Sequence, residues 1–218
     1  MNPLLRHLPN ALTVSRLGFT AGFLLLLYLA RHDVNSGPDV PYEARTLLFW
    51  SFVLFVIAGI TDVVDGHLAR KLKVTGQFGR TFDPFVDKVL IAGGFILLTA
   101  CFKASGLAWW MVAVILGREA LVTILRHACE AKGYEFPATA AGKIKMFLQS
   151  FALGTIVIYL GWLQDARWAN IFRDVVIWAA VVVTAFSALV YLGRLGNLKR
   201  QPDQMPQGKG DEKTPKST

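Results

Sequence analysis

Asp62, Asp65, Asp83 and Asp87 lie between Thr61 and Lys88, with apolar runs on either side at Leu47–Ile60 and Val89–Phe102. An aspartate well inside a membrane helix costs about 2.5–3.5 kcal/mol. Four in one short region call for a compensating partner. Carboxylates without His or Cys are the ligands of hard cations such as Mg²⁺ or Mn²⁺. Two ions bridged by four carboxylates would suit displacement at phosphorus, because both the attacking and the leaving oxygen are stabilised.

Each residue of an α-helix advances about 100°. With Asp62 at zero, Asp65 falls near about −60°, Gly66 near about +40° and Ala69 near about −20°, one arc of about 100°. Asp83 and Asp87 are four apart and share a face of the next helix. Gly66 and Ala69 leave space on the acidic arc for a flat base or a phosphate. Arg70, at its edge, can pair with a phosphate oxygen. Gly76 and Gly79 read as turn residues between the two helices. The plainer reading is that acidic residues near helix ends are simply solvated. Spacings of three and four, with small residues on the same arc, favour a metal–phosphate site.

These helices belong to a chain of 218 residues that is 54% hydrophobic and 17% charged, with a net charge of +8. The apolar residues come in blocks long enough to cross a bilayer, about 20 residues each. The expected fold is therefore all-α: a polytopic integral membrane protein with six transmembrane helices. The spans run Ala11–Ala30, Thr46–Leu68, Phe82–Phe102, Leu107–Glu130, Ile144–Leu163 and Val175–Leu195. Pro3 to Leu8 is read as a short N-terminal interfacial helix. The first block lacks a small-residue cleavage pattern and reads as a retained helix, not a signal. Residues 1–200 form the membrane domain, and 201–218, without apolar periodicity, form a disordered cytoplasmic tail. Cys101 and Cys129 read as unpaired packing residues.

Basic residues cluster at the ends of apolar blocks, which fits anionic lipid headgroups better than nucleic acid. Arg6, the Arg70–Arg80 loop, Lys132, Lys143, Lys145 and Lys199–Arg200 fall on one side, which the positive-inside rule makes cytoplasmic, with both termini. The Arg31-to-Arg45 loop, the Lys103 turn and the Arg167-to-Arg173 loop fall on the other. Tyr28, Tyr42, Trp109, Trp110, Trp162, Trp168 and Trp178 form an interfacial belt there. The localisation read from this is an inner or plasma membrane, with the aspartates at its cytoplasmic face.

In full the acidic stretch reads D-x2-D-G-x2-A-R-x8-G-x3-D-x3-D, from Asp62 to Asp87. It matches without departure the signature of the CDP-alcohol phosphotransferase family, which the chain also resembles in its six helices and cytoplasmic termini. The resemblance implies that an acceptor hydroxyl attacks the phosphorus bearing the lipid of a CDP-linked donor, and that CMP leaves. It implies Asp62, Asp65, Asp83 and Asp87 as metal ligands, with Asp87 also the catalytic base. CDP binding would fall to Asp62, Gly66, Ala69, Arg70 and Gly79. It further implies a homodimer.

Three segments resemble the branch of that family that makes phosphatidylglycerol phosphate: Leu8–Arg16, Arg118–Arg126 and Gly142–Lys145. Arg118 and Arg126, eight apart, lie near one face of the fourth span, and arginines in a membrane helix need an anionic partner. Together with Lys143 and Lys145 they are expected to hold the phosphate of sn-glycerol 3-phosphate, the donor being CDP-diacylglycerol. The structural alternative pairs Arg118 with Glu119 or an aspartate and lets Lys143 snorkel. Asn10, Thr13 and Arg16, three apart, form a polar stripe bordering the site. His67 and His127 read as surface or interface residues. Inositol phosphate, or phosphatidylglycerol to give cardiolipin, are the alternative acceptors. A cation transporter is the remote reading, since transporters place such groups near the midplane, often in repeats.

Overall fold

The computed structural model describes the backbone of residues 3–35, 39–72, 77–130 and 140–200, and side chains at 14–35, 39–62, 85–129, 142 and 144–193. Among the described residues six long helices follow one another: α1 (Pro3–Val34), α2 (Tyr42–Leu72), α3 (Gln77–Cys101), α4 (Trp109–Glu130), α5 (Ala140–Trp162) and α6 (Arg167–Arg200). A 3-10 turn, Lys103–Ser105, joins α3 to α4, and no strand occurs among the described residues. Helix starts follow local chemistry. The Pro41 carbonyl accepts from Arg45 N at 3.0 Å to open α2, and the Ala108 carbonyl accepts from Met111 N at 2.9 Å to open α4. Gly106 closes the 3-10 turn at φ +75°, a conformation open to glycine, with Arg173 Nε 2.6 Å from where a Cβ would stand.

All-α architecture is as expected, but most helices outrun the apolar blocks. Pro3 to Leu8 is not a separate interfacial helix: it forms the first turns of α1. Arg167 to Arg173 is not a loop but the start of α6, and Gly79 sits inside α3 instead of in a turn. Gly76 lies outside the described residues. The reason is common to all: hydropathy marks where lipid ends, whereas helical hydrogen bonding continues into polar sequence. Four stretches among the described residues are long and apolar enough to cross a bilayer: Val14–Val34, Tyr42–Asp62, Ile144–Trp162 and Arg167–Gly193.

α1 packs on α2 and α3, α5 packs on α6 and α2, and α4 packs on α6. Their shared core centres on Phe23, Leu48, Phe95, Leu153 and Ile177. Phe23 and Phe55 rings meet at 5.4 Å across the α1–α2 seam. The outer surface is apolar too, with Phe147, Phe186 and Leu189 all above 60% exposed. A surface of that kind is suited to lipid, and with the helix lengths it makes this a helical membrane protein. The seven aromatics of the expected belt fall on the same end of the bundle; Tyr42, Trp109 and Trp168 are the most exposed of them. Cys101 and Cys129 are unpaired, as expected.

Close helix approach depends on small residues. A Cβ on Gly94 would run into the Leu153 side chain and lie 3.3 Å from Phe23, and both neighbours are wholly buried. Gly94→Val is expected to destabilise the fold by about 1–3 kcal/mol through overpacking. Thermal unfolding in detergent would read this as a lowered midpoint; an unchanged midpoint would mean that α3 and α5 can move apart freely.

Candidate functional site

Alternation of six helices brings the first half of α1, the ends of α2, α4 and α6, and the beginnings of α3 and α5 to one end of the bundle. The contacts bear this out: Arg16 of α1 meets Asp62 of α2 and Asp87 of α3, while Arg118 of α4 meets Ser187 of α6. At the opposite end Asn35, closing α1, approaches the Cys101 carbonyl, and Arg173 Nη1 donates to the Ala104 carbonyl at 2.8 Å. The polar groups that the sequence singled out for chemistry therefore lie between the first end and the middle of the bundle, Arg118 being near the middle of α4 and Asp87 near that of α3.

Arg16 is the centre of the acidic half. Its side chain is 0% exposed, and its Nη1 donates both to Asp62 Oδ1, in direct contact, and to Asp87 Oδ1 at 3.3 Å. A guanidinium removed from water costs several kcal/mol unless paired, and these two carboxylates supply the pairing. Asp62 and Asp87 keep 38% and 27% of their side chains exposed, so the carboxylates are accessible where the arginine is not. From the sequence Arg16 is expected only in a polar stripe bordering the site. It is buried within it.

The backbone places Asp65, Gly66, Ala69 and Arg70 in the last turns of α2, and Gly79 and Asp83 in the first turns of α3. Their side chains lie outside the described residues, as do those of Asn10, Thr13, His67 and Lys143. Among the described residues no three His, Cys, Asp or Glu side chains gather. The donor chemistry nevertheless fits a hard divalent cation. Carboxylate oxygens from two helices converge closely enough to share one nitrogen of Arg16, a donor set of the kind hard cations take.

The basic half lies on α4, α5 and α6. Arg118 is 7% exposed; its Nε donates to Ser187 Oγ at 2.8 Å, its Nη1 lies 3.5 Å from Glu119 Oε1, and its guanidinium stands 5.2 Å from the Tyr191 ring centre. Its Nη2 is buried with no hydrogen-bond partner among the described residues, and so is Arg126 Nε. Buried Lys145 donates directly to Glu119 Oε1. Buried donors without acceptors are costly, and they mark a place where an anion would be stabilised.

A short polar chain links the halves. Lys88, next to Asp87, donates to Thr123 Oγ1 at 3.0 Å, and Thr123 donates in turn to the Glu119 carbonyl at 2.7 Å. Sequence reasoning weighed Glu119 only as a partner for Arg118; its direct contact is Lys145. An acidic residue within an apolar helix was itself a signal. Ser187 and Lys88 carried none, since both depend on which helices meet. His127 is exposed, as read.

Comparison with known proteins adds an independent line. A profile of the CDP-alcohol phosphatidyltransferases matches residues 6–186. The chain is 32% identical to the CDP-diacylglycerol–glycerol-3-phosphate 3-phosphatidyltransferase of Bacillus subtilis, over 86% of this chain and 94% of that protein. It is 34% identical to a probable phosphatidylglycerophosphate synthase of Mycobacterium tuberculosis, over 86% and 81% respectively. A Rickettsia typhi protein bearing the same name as the Bacillus relative is 32% identical over 86% and 96%.

Proposed function

The chain belongs to the CDP-alcohol phosphatidyltransferase family, and from that premise we propose that it transfers the phosphatidyl group of CDP-diacylglycerol to sn-glycerol 3-phosphate. Phosphatidylglycerol phosphate and CMP are the products. The observation that carries the acceptor is the buried Arg118, whose Nη2 has no partner among the described residues, beside a second buried cation, Lys145. A phosphorylated acceptor provides an anionic partner for that Arg118 donor, and its dianionic phosphate suits a pair of cations that share one carboxylate, Glu119, better than an uncharged hydroxyl acceptor does.

Asp62, Asp65, Asp83 and Asp87 would hold Mg²⁺ or Mn²⁺, two ions in this reading, supplying positive charge to the reacting phosphate oxygens. Around them the chain's own residues divide the work. Gly66 and Ala69 leave room for the cytidine, with Gly79 bordering it, and Arg70 pairs with the diphosphate. Arg118, Arg126, Lys143 and Lys145 hold the acceptor phosphate and so orient its hydroxyl. Asp87 takes the hydroxyl proton. The new bond joins acceptor oxygen to the phosphorus bearing the lipid, and the bond from that phosphorus to the CMP oxygen breaks. Asn10 and Thr13, on α1 with Arg16, border this space.

The same reading puts six spans in the membrane. α3 and α4, at 25 and 22 residues, are long enough at about 1.5 Å per residue to cross a core of about 30 Å. The basic loops then put the site and both termini, with the 201–218 tail, on the cytoplasmic side of a plasma membrane, in a homodimer. Transport is disfavoured because the chain belongs to a transferase family and shows no internal repeat of the kind transporters often carry.

One assay tests the acceptor. Protein purified in detergent, given CDP-diacylglycerol, Mg²⁺ and labelled sn-glycerol 3-phosphate, is expected to move label into the lipid phase with equal release of CMP. Product only with inositol phosphate would replace the acceptor and keep the family; product with phosphatidylglycerol alone would make it a cardiolipin synthase.

A further inference from the structure

Arg16 has a consequence beyond pairing, which rests on the proposed carboxylate cation site. We infer that Arg16 is the built-in countercharge of that site: it neutralises Asp62 and Asp87 before a divalent ion arrives and sets how loosely the ion is held. Three observations carry this. One nitrogen, Nη1, serves carboxylates from two helices. The arginine is 0% exposed while its partners keep 38% and 27% of their side chains exposed, so both carboxylates can be approached with the arginine in place. Finally, a guanidinium is charged at every pH a cell meets, so its effect does not switch off.

The sign follows from Coulomb's law. A dication held by those carboxylates would meet the charge of the guanidinium that they already contact, at the low effective dielectric of a half-buried site. Repulsion there weakens ion binding whether or not the arginine shifts. Without the ion, the same charge relieves repulsion between Asp62 and Asp87 and holds α1, α2 and α3 together. A residue with a merely structural part would do only the second.

Full-length protein in detergent, with Mn²⁺ as the probe and no substrate, separates these effects. Arg16→Met keeps most of the side-chain volume and removes the charge. It is expected to bind Mn²⁺ at least about tenfold tighter by electron paramagnetic resonance titration, and to unfold at a lower temperature in chelator. Arg16→Lys keeps the charge and is expected to stay within about threefold of wild-type affinity. Should Arg16→Met fold only with Mn²⁺ present, its release of the ion to excess chelator is expected to be slower than wild type. Unchanged or weaker affinity, or equally fast release, overturns the countercharge role. A wild type that binds no Mn²⁺, or binds it equally after Asp62→Asn, overturns the cation site itself and this inference with it.

Discussion

Asp87→Asn is expected to lower CMP release by about 10³-fold or more while leaving CDP-diacylglycerol binding intact. Asparagine is nearly isosteric and keeps an Oδ1 that accepts from Arg16 Nη1, now 3.3 Å from the aspartate. The α1–α3 contact therefore survives, and the expected loss is chemical and not a loss of fold. What disappears is a group able to take a proton, an effect of about 10²–10⁴ by itself, together with one anionic cation ligand. Single-turnover CMP release, alongside a binding measurement with the donor, checks both halves. Activity above about a tenth of wild type would remove Asp87 as the base, since that is less than any positioned base contributes. Asp62→Asn provides the contrast: Asp62 makes the closer contact with Arg16, so its replacement is expected to affect donor binding and stability as well as rate.

That asymmetry between two aspartates is absent from the sequence, where they look alike. Periodicity made their arcs legible, because spacings of three and four are properties of one helix. The same local rule placed Gly66 and Ala69 beside the carboxylates and Arg118 and Arg126 along one side of α4. Partnerships between helices were not legible. Arg16 lies 46 residues from Asp62 and 71 from Asp87, and Glu119 lies 26 from Lys145. Nothing in residue types separated in that way says which will touch. Helix ends failed for a different reason. Arg167 to Arg173 looks like a polar loop by hydropathy, yet Arg173 folds back on Asp174, the Ala104 carbonyl and the Tyr159 ring, which lets a charged turn stay helical at the bundle's end.

The two halves of the site place opposite demands on the chain, and the helices meet them by opposite means. At Arg16 a cation is surrounded by carboxylates, leaving the acidic half less negative than its residue count implies. At Glu119 a carboxylate stands between two cations, Lys145 in contact and Arg118 at 3.5 Å, leaving the basic half less positive. Each half thus keeps one countercharge. Lys88 and Thr123 join the halves by a hydrogen bond between α3 and α4.

The second large effect is expected at Arg118. Arg118→Met should raise KM for sn-glycerol 3-phosphate by about 10²-fold, the worth of a hydrogen bond to a charged group at the upper end of its range. KM for CDP-diacylglycerol should change little. Methionine keeps an apolar stem against Tyr191, and the change strands no charge, because Glu119 retains Lys145. A structural cost is therefore small, and what is lost is the Nη2 donor that no described residue satisfies. Arg118→Lys restores charge without the fork. One ammonium cannot reach Ser187 and an incoming phosphate together, so it is expected to recover only part of the affinity. Glycerol without its phosphate supplies the control: wild type should strongly prefer the phosphorylated acceptor, and Arg118→Met should narrow that preference by the same factor that KM rises. A fall in kcat with every KM unchanged would instead make Arg118 a packing residue of α4 and α6, and the acceptor phosphate would then have to be held by Arg126 and Lys143.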